Sequence, residues 1–429
     1  MDAGAVAWLL SDSNGDVVML RWLVVALLSL MLLGTTGCLQ EALTWTGANF
    51  YQADTKAPDT KTGAEMIRDG LSASPRIRVG YLPAPTLGTV FRDREQLGQH
   101  GYRPNLSERN GLVYTCKAGP IDTSHARKAA DWTVFLAAKV YRQIMQGQED
   151  EFSYKLYEPS RYFVRITYPE DWKDLPPEQR QRIAYEVSVG VGRYLGFMGV
   201  TWHEIVTWFG FKSKGFEPEH ESAFTWEETF SNLFGNHVAI LAIEDEQHTF
   251  NEAMTLAFDA ELRKLDAQPA RVSKRASESV RGPWFTGDFF FITMKKRNLD
   301  LGLDDGYVTP TLIPGVSECE GAKAQPFPVP NLDFLSEYGF EVKFEIEPRI
   351  WEGDAILDVA CSGGGPRPDR VEPVIHLAPI MDYIRQDALR RYGPVADPPR
   401  KAREPGPATI QSRADRDHGL SQPSETETR

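Results

Sequence analysis

The sequence predicts an α+β protein, mainly helical in its central part, with short strands toward both ends. Three observations predict it. Stretches with helix-start signals and apolar residues at helical spacing fill residues 123–146, 178–211 and 225–266. Short runs of strand character lie on either side, at 112–116, 152–168, 284–295 and 339–346. Pro- and Gly-rich loop, notably 313–331, separates the later strands.

The first 38 residues read as an export signal. Arg21 supplies a short positive region, Trp22 to Leu33 an apolar run, and Gly34 to Gly37 small residues before Cys38. The apolar run is shorter than the roughly 20 residues that a spanning helix needs. Leu-Leu-Gly-Thr-Thr-Gly-Cys resembles a bacterial lipobox, in which the cysteine is acylated; Thr35 departs from the usual leucine. Asp2, Asp12 and Asp16 are foreign to such a leader, so Met19 is the expected true start. Leu39, by resemblance to Gram-negative lipoproteins, points to the periplasmic face of the outer membrane, with lipidated Cys38 as the membrane contact.

Residues 39–74 are polar and read as a tether, and 75–391 as a single globular domain. Ile77, Val79 and Tyr81 alternate before Pro83 and Pro85, as in a strand leaving into a loop. Leu112 to Cys116 follow as a strand, and Gly119-Pro120 as a turn. Asp122 is a natural N-cap for a helix from Thr123 to about Gln146. A second helix runs from Glu178 to Phe211. Gly190, Gly192, Gly196 and Gly199 there imply close helix packing or a break near Gly199. Thr225 with Glu228 reads as a capping box for a helix ending by Gly235, with further helix over 236–266. Residues 373–391 read as a strand and a short helix. From Tyr392 to Arg429 the chain carries almost no large apolar residue and reads as a disordered tail.

The charge of -13 excludes a nucleic-acid binder, which needs a basic footprint. Ten tryptophans and 22 phenylalanines imply a well-filled core. The four cysteines form no CxxC pair, which argues against a four-thiolate zinc site. In an oxidising compartment two of Cys116, Cys319 and Cys361 pair, and Cys319 with Cys361 is the expectation.

The candidate chemistry centres on Trp202-His203-Glu204-Ile205-Val206-Thr207-Trp208. His-Glu on a helix is half of a His-Glu-x-x-His zinc motif, with Thr207 where the second histidine would stand. His125 lies in the first turn of its helix, where the dipole favours neutral imidazole. Asp122 and Arg127 flank it, although Arg127 also has the spacing to pair with Asp131. Glu221, Ser222, Glu227, Glu228, Ser231 and Asn232 form a third polar group. A zinc site from His125, His203 and Glu228 or Glu204, with Glu204 or His125 as proton carriers, is one reading. A mechanism without metal, with His203 as general base oriented by Glu204 and a serine or Cys116 as nucleophile, is another. A buried structural hydrogen-bond network is the third.

Leu-Val-Tyr-Thr-Cys-Lys-Ala-Gly-Pro-Ile-Asp-Thr-Ser-His-Ala-Arg, Trp-His-Glu-Ile-Val-Thr-Trp-Phe-Gly and Ser-Ala-Phe-Thr-Trp-Glu-Glu-Thr-Phe-Ser-Asn-Leu-Phe-Gly together resemble an uncharacterised family of bacterial lipoproteins, domain of unknown function 4056. The resemblance covers roughly residues 75 to 390. It implies export and one compact domain. It supplies no activity, but it groups Asp122, His125, His203, Glu204 and Glu228 as one constellation. The expected function is a lipid-anchored envelope hydrolase dependent on zinc. The rival expectations are a non-catalytic binding or assembly lipoprotein and a cysteine-dependent transferase or amidase.

Overall fold

Three helices carry the site, and one asparagine ties them together. Helix α3 (Thr123–Gln146) packs along α4 (Pro177–Trp208) and α5 (Glu228–Glu244). Asn236 on α5 donates to Thr133 Oγ1 of α3 at 2.9 Å and to the Arg193 carbonyl of α4 at 2.8 Å. Glycine permits the close approach. A Cβ on Gly192 would stand 2.5 Å from the Ala137 backbone nitrogen, and one on Gly235 would collide with the Ala126 carbonyl. The α4 glycines therefore serve packing. Helix α4 runs unbroken through Gly199, where a break was one expectation.

The computed structural model describes residues 56–398, apart from 72, 104–106, 157, 212–218, 289–290, 363 and 365. The expected leader, Cys38 and the chain from 399 onward lie outside the described residues. Two short helices, α1 (Ala57–Thr60) and α2 (Gly63–Asp69), occupy part of the expected tether. Met66 and Ile67 are buried in the core, so this stretch belongs to the folded unit. Its signal was the capping box: Thr62 accepts from Glu65 N–H, and Glu65 accepts from Thr62 N–H.

Strands β1 (Leu112–Thr115) and β2 (Gly119–Asp122) form an antiparallel hairpin that delivers the chain into α3. β3 (Phe152–Tyr154), β4 (Arg161–Thr167) and β9 (Glu341–Glu347) form an antiparallel sheet in the order β3-β4-β9. Tyr162 pairs with Ile346 in register and stacks on Tyr154 and Phe344. Helices α6 (Phe250–Lys264) and α7 (Ala270–Ser279) follow α5. Small hairpins come next, β5 (Phe285–Asp288) with β6 (Phe291–Met294) and β7 (Tyr307–Val308) with β8 (Phe327–Pro328). Helices α8 (Gly353–Ala360) and α9 (Pro373–Tyr392) close the order. The fold is α+β, with the helical centre and flanking strands that the sequence predicts.

Several local expectations are corrected. Residues 373–391 are one helix, which carries Pro379 inside it, rather than a strand and a helix. Helix α7 was not expected, because only Val272 and Ala276 supply buried apolar side chains. The tail does not begin at Tyr392: Ala396 is buried, and its carbonyl accepts the Arg297 N–H. Residues 75–82 form no strand, and the alternation faces the other way. Ile77 and Val79 are exposed while Arg78 is buried. Arg78 donates to Asp131 Oδ2 at 2.7 Å and to Glu108 Oε2 at 2.9 Å. Arg76 also pairs with Glu108, and His100 Nε2 lies 2.9 Å from Asp131 Oδ1. A buried charge needs such partners. No described helix is long and apolar enough to cross a membrane.

Candidate metal centre

Asp122 ends β2 and caps α3. Its Oδ1 accepts Ser124 N–H at 2.7 Å, the ordinary N-cap bond. Its Oδ2 accepts Tyr81 N–H at 2.6 Å and lies 3.4 Å from His125 Nδ1. The Asp122 N–H in turn donates to Ser231 Oγ at 2.9 Å, and Ser231 donates to the Glu227 carbonyl at 2.7 Å. The end of β2 is thereby joined to the start of α5.

Glu227 and Glu228 enter from the mouth of α5. The preceding loop is sharply bent: Phe224 is fully buried at φ 53, a conformation that a non-glycine side chain rarely adopts. Its carbonyl accepts Asn298 N–H at 2.9 Å, and its own N–H donates to Glu204 Oε2 at 3.3 Å. Thr225 Oγ1 donates to Glu227 Oε1 at 2.9 Å, and Thr225 N–H to Glu228 Oε2 at 3.3 Å. The second bond is half of the expected capping box, although the helix starts at Glu228 itself. The other Glu228 oxygen faces the site: Oε1 is 3.4 Å from His125 Nε2.

Asp122, His125 and Glu227 each present one donor atom, and these atoms lie within 4.8 Å of one another. All three side chains are largely or wholly buried. Among the described residues, His125 Nδ1 and Glu227 Oε2 are buried without a hydrogen-bond partner. Buried polar atoms without protein partners, beside a cluster of donor side chains, suit a cation. One imidazole and two carboxylates are a chemically reasonable set for zinc. This possible triad overlaps the expected set of His125, His203 and Glu228 in His125 alone. Glu227 stands in the third polar group of the sequence, without a role as a ligand there, and Asp122 stands beside His125.

The electrostatics are those of a buried acidic cluster. Burial pushes Asp122 up to about 7, against which the Tyr81 and Ser124 N–H bonds work. Burial raises Glu227, with Asp122 and Glu204 adding to it, and raises Glu228, with Glu204 and Glu227 adding. His125 and His203 are held well below the ordinary histidine range, first by burial and then by Lys128. Both imidazoles are therefore neutral and able to donate a lone pair. Lys128, one turn beyond Ser124 on α3, is itself buried.

The other predicted residues divide. His203 and Glu204 sit on the last turns of α4, and the Glu204 charge acts on Glu228. Asn232 is buried one turn after Glu228, with Oδ1 making no hydrogen bond among the described residues. Arg127 points elsewhere. It donates to Asn110 Oδ1 and the Gly98 carbonyl, and it pairs at long range with Glu108. The expected Arg127–Asp131 pair is replaced by Arg78–Asp131. Cys116 is bonded to Cys319, with Cα atoms 5.0 Å apart, and among the described residues Cys361 is the free thiol. This corrects the expected Cys319–Cys361 pair and removes Cys116 as a nucleophile, because a disulfide sulfur carries no thiolate. The Trp202 and Trp208 indoles that bracket the His-Glu pair bond Ser160 Oγ and Asp387 Oδ2.

No curated protein and no solved structure matches the chain. Residues 84–291, which hold all of α3, α4 and α5 and every residue of the triad, match the family described as Protein of unknown function (DUF4056).

Proposed function

We propose that the chain is a metal-dependent hydrolase of the cell envelope, with Asp122, His125 and Glu227 holding a zinc ion. The observation that carries this is that Asp122, His125 and Glu227 each bring a donor atom within 4.8 Å of the others, while His125 Nδ1 and Glu227 Oε2 are buried and make no hydrogen bond among the described residues. The neighbouring carboxylates Glu204 and Glu228 supply proton acceptors close to that point. A bound zinc ion would acidify water and polarise a carbonyl. Glu228, whose Oε1 lies 3.4 Å from His125 Nε2, is the carboxylate we assign to take the water's proton. Lys128 lies close enough for its charge to act on both His125 and His203.

The envelope location rests on the leader and Cys38, which would carry the lipid. The Cys116–Cys319 disulfide supports an oxidising compartment. Metal analysis of the purified full chain, followed by peptide, ester and amide substrates, tests the reading. Zinc near one equivalent, lost in His125→Ala and Glu227→Gln together with hydrolysis, is the expected result. A folded protein without metal and without hydrolysis would refute it.

One observation favours a second reading, a non-catalytic binding or assembly lipoprotein with a structural metal. Tyr81 N–H and Gly80 sit directly on Asp122 and His125 and cover that side of the triad. Metal bound in full with every substrate inert would select it.

A further inference from the structure

The run from Arg76 to Tyr81 is held from beneath and open above. Arg76 and Arg78 reach inward to Glu108 and Asp131. Ile77 and Val79 point to solvent, 55% and 75% exposed. This facing has the period of two of an extended chain. Among the described residues, the backbone groups of Ile77, Val79 and Gly80 have no hydrogen-bond partner. At its far end the run reaches the triad. A Cβ on Gly80 would collide with the His125 imidazole and stand 2.9 Å from Asp122 Oδ2, and Tyr81 N–H is bonded to that oxygen. Pro83 and Pro85 follow and give no donors.

A fixed, unpaired backbone edge with outward apolar side chains is a template for another extended chain. The ligand whose own N–H and C=O groups match that row is a polypeptide, bound by strand addition. We infer that residues 76–80 are a docking edge for an extended polypeptide, and that the substrate of the adjoining metal centre is a peptide bond. The second half of this rests on the hydrolase reading; the docking edge does not. In the cleavage, water adds across the amide. The acyl carbon gains the hydroxyl, the C–N bond breaks, and the nitrogen leaves as the amine with the water's other proton.

The test uses the full chain and fluorescein-labelled casein, an unfolded polypeptide. Hydrogen exchange at 76–80 and binding anisotropy are read in wild type, in Ile77→Asp/Val79→Asp and in His125→Ala. Both residues of the double variant are exposed, so folding is spared. Casein is expected to slow exchange at 76–80, and the double variant to bind roughly tenfold or more weakly. His125→Ala is expected to keep the protection and lose the cleavage. Absence of binding, or binding without protection and with the double variant unaffected, overturns the docking edge. Metal and small-ester hydrolysis without casein binding would overturn it too and leave the hydrolase. Protection of 76–80 without metal or cleavage would uphold the edge and remove the hydrolase reading.

Discussion

His125 Nε2 stands 3.4 Å from Glu228 Oε1 while its Nδ1 stands 3.4 Å from Asp122 Oδ2. One neutral imidazole thus lies between two carboxylates from the mouths of two helices, α3 and α5. The position of that ring depends on the helix contacts behind it. The most direct is Gly235, whose missing Cβ lets α5 lie against the Ala126 carbonyl, one residue after His125.

Gly235→Ala is therefore expected to cost about 1–3 kcal/mol or more, as overpacking does. The clash is with backbone, which gives little. Urea unfolding reads the loss, and metal affinity should fall with it, because α5 carries Glu228 and adjoins Glu227.

Gly80→Ala separates the site from the fold. The residue lies outside every helix and strand, so thermal stability should change by about 1 kcal/mol or less. The new methyl would displace the imidazole of His125. Metal occupancy is expected to fall about tenfold, with an unchanged circular dichroism spectrum. Full occupancy in this variant would show that the 76–81 run yields instead of the ring.

The disulfide closes a separation of 203 residues. Cys319→Ser and Cys116→Ser should each cost about 2–5 kcal/mol through the entropy of the unfolded chain. Cys361→Ser should cost nothing comparable. Equal stability of all three would contradict the assignment.

His100 gives a pH signature. Burial holds its pKa at about 4 against the usual 6.5. Between those values the unfolded chain takes up a proton that the folded chain refuses. Stability from this group is complete above about pH 6.5 and is lost as pH falls toward 4, to the extent of about 3 kcal/mol. Asp122 and Glu158, both raised to about 7, act with the opposite sign. The comparison of wild type with His100→Gln isolates the term, and the variant should lose less stability between pH 7 and 4.5.

Local signals carried much of this structure. Asp122 as N-cap set the start of α3 within one residue and placed His125 in its first turn. The glycines of α4 announced close packing, which Ala137 and Thr133 complete. What was illegible depended on partners far along the chain. Ile77, Val79 and Tyr81 read as a strand because nothing in the sequence tells Arg78 that Glu108 and Asp131 wait for it. Glu227 read only as one of a polar group after a loop, because Asp122, which it meets, lies far back along the chain. Pro379 hid the continuity of α9.

Metal analysis by mass spectrometry of the full chain, purified without chelator, beside His125→Ala and Glu227→Gln, tests the central claim most directly. Zinc near one equivalent in wild type and almost none in either variant is the predicted result. Zinc retained in Glu227→Gln, or no metal in folded wild type, would contradict the Asp122–His125–Glu227 centre.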